Sequence, residues 1–199
     1  MEHNISAQES LDYIKNVILD SKNIIKENGA AAILWGIVIV TAQITTFLLI
    51  QNKIYNPIPW VWAAAISAGW TVSLIISRKE SKTGVVTRTL KIDSAIWSSA
   101  LVVMPIIGFA GTYTGMISPF AINPIIALIL GSSYYVTGVV YSDKVFKTIS
   151  FAWWIGGTSL FWVNNHYSFL IFAAMMIFFQ IVPGLILYTR YKKTEVENG

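Results

Sequence analysis

The chain has no cysteine. That excludes disulfides, thiol nucleophiles and thiolate metal sites together. Charge is almost as scarce. Asp, Glu, Lys and Arg make up 12% of the 199 residues, about half the share of an ordinary soluble domain. What charge there is avoids long stretches of the chain. Ala30 to Asn52, Ile54 to Ser77, Ser94 to Ser142 and Thr148 to Thr189 hold no charged residue at all. No acid lies deep in these runs, which argues against a proton-driven pump or a carboxylate relay, since ionisable residues inside a membrane usually mark function. There are two histidines, and His166 has no nearby acid or cysteine to build a metal site or a hydrolase with. No catalytic residue, metal site or cofactor is expected.

In place of charge stands apolar surface, with 55% hydrophobic residues. A membrane-crossing helix needs about 20 mainly apolar residues. The first two charge-free runs fit one span each and the last two fit two. Ser118-Pro119 and Asn123-Pro124 divide the third run, because proline disfavours helix in the residue before it. Asn164-Asn165-His166 divides the fourth. The expected spans are 30–50, 60–77, 96–116, 124–141, 149–163 and 167–188. Lipid cannot satisfy open backbone groups, so these are helices. A barrel would alternate in polarity, and Ala30-Ala31-Ala32-Ile33-Leu34 does not. The fold class is therefore an all-α membrane protein, six transmembrane helices in three antiparallel hairpins.

Orientation follows from the basic residues. Six spans place Lys15, Lys22, Lys26, Arg78, Lys79, Lys82, Arg88, Lys91, Lys144, Lys147, Arg190, Lys192 and Lys193 on one side and leave Lys53 alone on the other. Both termini then lie in the cytoplasm of a bacterial inner membrane. The net charge of +4 marks helix ends facing the cytoplasm, and no nucleic-acid partner is expected. The opening Glu2-His3-Asn4 lacks the basic start of a cleavable signal.

Three segments result: a cytoplasmic amphipathic helix over 1–29, the membrane domain 30–189, and a basic-then-polar tail over 190–199. In the first, Ser6 and Glu9 have capping-box spacing. Leu11, Ile14, Ile18 and Ile25 continue an apolar stripe, and Asn28-Gly29 reads as a helix stop. Five acids against three lysines in residues 1–28 make a lipid-surface role less fitting than packing on protein. That protein is the chain's own cytoplasmic loops or a second copy, so a protein partner or homodimer through this helix is the partner expected beside the lipid bilayer.

The hairpins carry a repeat. Trp35, Trp97 and Trp154 lie near the start of the odd helices, and Ser73, Gly138 and Gly184 lie five or six residues before the exit of the even ones. Gly111 and Gly115 form a small-xxx-small pair on the third span, and Gly131 and Gly138 share a face of the fourth. Pro105 and Pro183 are candidate kinks. The polar and polar-tipped residues within spans that could line a ligand groove are Trp70, Tyr134, Tyr135, Thr137, Gln43 and Gln180. For the two amides, a bond across helices is the alternative.

In Ile5-Ser6-Ala7-Gln8-Glu9-Ser10-Leu11, Leu34-Trp35-Gly36 and Ile181-Val182-Pro183-Gly184 the chain resembles a group of uncharacterised six-span inner-membrane proteins found mainly in Bacteroidota. Its hairpin pattern is more distantly similar to the short repeats of the acid-resistance membrane protein family. The resemblance implies topology and supplies no activity. The expectation is a non-enzymatic membrane module, either an accessory subunit or a sensor of a small apolar ligand or membrane state. The alternative is a small transporter or channel for a neutral or amphipathic substrate.

Overall fold

The computed structural model describes residues 7–80 and 88–189, and along the first helix it describes side chains at Leu11 and from Gly29 onward. Among the described residues there is helix and turn and no strand. The helices are α1 (Ala7–Gln51), α2 (Ile58–Glu80), α3 (Arg88–Tyr113), α4 (Pro119–Val140), α5 (Lys144–Leu160) and α6 (Tyr167–Met176). A π-helical turn, Ile177–Ile181, follows Met176 without a break, so α6 continues through it as one helix to Thr189. Five helices are long and apolar enough to cross a membrane: Gly29–Gln51, Ile58–Ile76, Thr89–Tyr113, Pro119–Val140 and Tyr167–Thr189. That is the architecture of a multi-pass membrane protein. The 17 residues of α5 reach about 25 Å at about 1.5 Å per residue, short of a hydrocarbon core about 30 Å thick.

The boundaries differ from the sequence expectation in instructive ways. No break falls at Asn28-Gly29, and α1 runs through as one helix of 45 residues. Gly29 faces α6, where a Cβ would lie 3.0 Å from the Gly184 carbonyl oxygen and 3.0 Å from the Tyr188 nitrogen. Glycine is there for close approach between helices, not for a cap. The stretch ahead of Gly29 adds about 33 Å of helix in line with the span. Leu11, the described member of the expected partner face, is 64% exposed. Ile14, Ile18 and Ile25 lie outside the described side chains.

Asn123-Pro124 is not a break either. Helix α4 begins five residues earlier, with Pro119 in the first turn where its missing N–H costs nothing. Asn123 and Pro124 are then buried inside it. Helix α5 also starts early, because Asp143 accepts a hydrogen bond from the Val145 backbone N–H at 2.6 Å and caps it. Just ahead, Ser142 adopts φ 55°, and the Asp143 and Ser142 N–H groups return to the Gly138 and Val139 carbonyls. That Schellman turn closes α4 within a residue of the next cap.

Helix α4 is central. Its residues Asn123, Ala127, Leu130, Tyr134 and Thr137 are buried at helical spacing, and α5 answers with Phe146, Ser150, Trp153, Gly157 and Leu160. Small residues let this pair close: a Cβ on Gly157 would meet that of Ala127 at 2.8 Å, and one on Gly138 would meet the Lys147 backbone nitrogen at 2.9 Å. In lipid such contact between small residues is what holds helices together, since apolar surface gains nothing by leaving lipid for protein. Helix α6 packs mainly along α1, while α2 flanks α1 and α3 flanks α4. The closest partners of α5 and α6 are thus α4 and α1, not each other.

The glycines of α3 do not pack helices. Helix α3 ends at Tyr113, so Gly115, at φ 72°, belongs to the following turn. Gly111 makes room for Ile117 folding back from that turn, and nothing lies within 4 Å of a Cβ on Gly108. The π turn sits directly before Pro183, whose ring lacks the N–H that a regular helix requires at that point.

Candidate functional site

Two of the repeat tryptophans, Trp35 and Trp154, cover small residues, and the third packs on an aromatic ring. The Trp35 indole N–H donates to Ser73 Oγ at 3.1 Å and its ring covers Gly69. Trp154 covers Gly131, and Trp97 meets Tyr134 edge-on at 5.1 Å between ring centres. Gly138 faces Phe146 and Lys147 of α5, and Gly184 faces Gly29 and Ile33 of α1. Trp35 and Ser73 are thus in direct contact within the first hairpin.

A buried polar cluster forms where α3, α4 and α5 meet. Asp93, five residues into α3, is 6% exposed. The Thr137 hydroxyl donates to Asp93 Oδ1 at 2.7 Å. The Trp97 indole, one turn along α3, is the second polar group beside the carboxylate. Tyr134 is buried next to it, edge-on to Trp97 and stacked on Phe146 at 6.1 Å. Asp93 lies near the start of the candidate span Thr89–Tyr113 and is buried there against α4. The signal lay in its spacing from Trp97, which puts both on one face of α3.

A second polar contact joins α1 to α4 near their opposite ends. Gln43 Nε2 donates to Asn123 Oδ1 at 2.8 Å, and both residues are buried. Thr46 is one turn further along α1. Phe47 lies against His166 and Tyr167 at 5.5 and 5.9 Å between ring centres, which brings Ser168 of α6 to the level of Thr46. The hydroxyls of Thr46 and Ser168, the Trp153 indole nitrogen and Gln180 Oε1 are buried without a hydrogen-bond partner. Gln180 lies in the π turn, next to Phe179, which is in ring contact with Trp153 at 5.8 Å.

The six groove candidates therefore do not share a site. Tyr134 and Thr137 come together around Asp93. Gln43 is committed to Asn123, and Gln180 is buried in α6. Tyr135 points to the other side of α4 against Phe151 and Trp154, and Trp70 is 43% exposed on α2. The actual grooves are lined by other residues. One of about 410 Å³ runs between α5 and α6 past Ala152, Ile155, Gly156, Ser159, Met175 and Phe179. The other, about 490 Å³, runs between α3 and α4 past Ile96, Ser99, Val103, Leu128, Ser132 and Val136. Both walls are aliphatic with a few hydroxyls. These lining residues carry no distinctive side-chain chemistry, so nothing in the sequence sets them apart from other span residues.

Among the described residues no three acid or histidine side chains gather as a metal site would require. Comparison with protein families, with curated proteins and with solved structures gives no match for this chain.

Proposed function

We propose that this chain is a non-enzymatic membrane module, an accessory subunit or sensor that takes a small apolar or amphipathic ligand from the bilayer. In this reading it crosses a bacterial inner membrane six times with both termini inside. The sixth crossing is α5, with Phe161, Trp162 and Val163 extending its apolar length. The observation that carries the functional reading is the pair of aliphatic grooves on the flanks of the bundle, apart from the buried polar contacts. A groove of that kind suits an acyl chain or a similar body and offers nothing for bond cleavage. Helix α1 supplies an output. It packs beside α6, one wall of a groove, and continues as a single helix toward the N-terminal segment. A shift at the groove would move that segment as a rigid lever.

The test is equilibrium binding of a pyrene-labelled dodecyl probe to the full chain in phosphatidylcholine nanodiscs. Saturable binding above that of empty nanodiscs is expected, and Ser99→Phe with Ser159→Phe, which fill the two grooves from their exposed sides, should abolish it. Binding no greater than to empty nanodiscs overturns the reading.

The second reading, a transporter or channel for a neutral or amphipathic substrate, has one observation in its favour, the buried Asp93 carboxylate within a candidate span. Substrate uptake into proteoliposomes that collapses with the proton gradient and with Asp93→Asn would promote it.

A further inference from the structure

The two flank grooves lie at different depths. The α3–α4 groove is lined by 96–103 and 125–136, the middle stretches of Arg88–Tyr113 and Pro119–Val140, and it reaches no helix end. The α5–α6 groove is lined by 152–163 and 171–179. Ala152 is the middle residue of Lys144–Leu160, and Phe179 falls just past the middle of Tyr167–Thr189. This groove therefore starts at mid-helix on both walls and runs out to Val163, the residue before the Asn164-Asn165-His166 turn. Val163 lies 11 residues beyond Ala152, about 17 Å at about 1.5 Å per residue. Half of a hydrocarbon core about 30 Å thick is about 15 Å. The groove has the length of one leaflet and opens at one end.

The open end is polar and lacks acid. Phe47 against His166 and Tyr167, and Phe120 against Phe169 at 6.3 Å between ring centres, bring the ends of α1, α4 and α6 to the same end of the bundle. The turns 52–57, 114–118 and 161–166 at that end hold one charged residue, Lys53, and no carboxylate. Trp162 is 79% exposed beside the groove's mouth, as an aromatic ring at head-group depth is. Asn164 and Asn165 are exposed next to it. Asn165 Oδ1 accepts from the Tyr167 backbone N–H at 2.9 Å, which leaves the Nδ2 donors of that amide for a ligand. Amide donors without any acid suit a phosphate oxygen and give an ammonium nothing to pair with.

We propose that the α5–α6 groove holds one acyl chain of a bilayer phospholipid, its carbonyl end at Val163, its methyl end at Ala152 and Phe179, and its phosphate at the Asn164 and Asn165 amides. The second chain stays in the bilayer, because the groove is open along its flank, where Ile155 is 68% exposed. The inference rests on the ligand-binding reading above and names the ligand and the leaflet that supplies it, the one at the Asn164-Asn165-His166 end.

The experiment is photolabelling of the full chain in phosphatidylcholine nanodiscs, mapped by mass spectrometry. Two phosphatidylcholine probes are used, one with a diazirine beside the acyl carbonyl and one with it at the methyl end of the same chain. The carbonyl probe should label 159–163 and not the opposite end of α5, 144–148. The methyl-end probe should label 152–156 and 175–179. Ser159→Phe, which fills the groove from its exposed side, should remove both signals and leave labelling of the exposed Val72, Leu74 and Ile75 on α2 unchanged. Equal labelling of the two ends of α5 by the carbonyl probe in the wild-type protein overturns the proposal without any variant, and so does groove labelling that survives in a folded Ser159→Phe. A diacyl trimethylammonium-propane with the same diazirines keeps the chains and the cation and lacks the phosphate. It should lose most of the groove labelling, and labelling equal to that by phosphatidylcholine overturns the proposal too. If the pyrene-labelled dodecyl probe does not bind and neither photolipid labels the groove, this proposal and the ligand-binding reading fall together. If the dodecyl probe binds and the carbonyl probe labels both ends of α5 alike, only this proposal falls.

Discussion

Gly29→Ala is the sharpest test of how this bundle is held together. A Cβ at position 29 would lie 3.0 Å from the Gly184 oxygen, 3.0 Å from the Tyr188 nitrogen and 3.3 Å from the Tyr188 Cα. All three are backbone atoms, so no rotamer change can relieve the contact. Carbon contacts are comfortable at about 3.5–4.0 Å, so α1 and α6 must part by roughly half an ångström. Overpacking of this kind costs about 1–3 kcal/mol. Replacing glycine by alanine within a helix returns about 1 kcal/mol, leaving a net loss of about 0–2 kcal/mol. Gly108→Ala is the matched control, since nothing lies within 4 Å of its Cβ. It receives the helix term alone and should gain up to about 1 kcal/mol. Thermal unfolding in one detergent, followed by circular dichroism, compares the two variants. The expected order of stability is Gly108→Ala, wild type, Gly29→Ala. A Gly29→Ala protein as stable as Gly108→Ala would refute the close approach of α1 and α6.

Two further outcomes are expected. Because cysteine is absent, single introduced cysteines report topology cleanly: Lys53→Cys and His166→Cys should react with an impermeant thiol reagent on intact cells, and Lys82→Cys and Lys193→Cys should not. Labelling of Lys82→Cys from outside would invert the proposed orientation. Gln43→Leu should lower stability by about 0.6–1.7 kcal/mol, the scale of interhelical hydrogen bonds in membranes, by leaving the Asn123 amide buried and unpaired. Adding Asn123→Leu should restore much of the loss, and a double variant as weak as the two single losses added together would show that the amides are not coupled.

The helices were legible because the charge-free runs and lipid's intolerance of open backbone leave few alternatives. Their ends and their neighbours were harder to read. Asn28-Gly29 has the composition of a stop, yet the glycine is spent on contact with Gly184, which depends on an element about 150 residues away. Asn123-Pro124 looks like a loop until Pro119 is seen to open the helix and Gln43 to satisfy the asparagine. Asp93 adjoins a charge-free run, so a one-dimensional reading puts it at the membrane edge. Only the approach of Thr137 from α4 encloses it. The grooves were least legible of all. Ile96, Val103, Ile155 and Met175 are ordinary lipid-span residues, and a groove is a property of the spacing between helices, not of side-chain type.

The central claim is that ligand is taken up by the flank grooves of the bundle. A dodecyl probe bearing a diazirine, photolysed on the full chain in nanodiscs and mapped by mass spectrometry, addresses it most directly. The expected result is labelling concentrated on 96–103 and 125–136 or on 152–163 and 171–179, and displaced by excess unlabelled dodecyl compound. Labelling spread evenly over every exposed apolar surface, including Val72, Leu74 and Ile75 of α2, and unchanged by competitor, would contradict it.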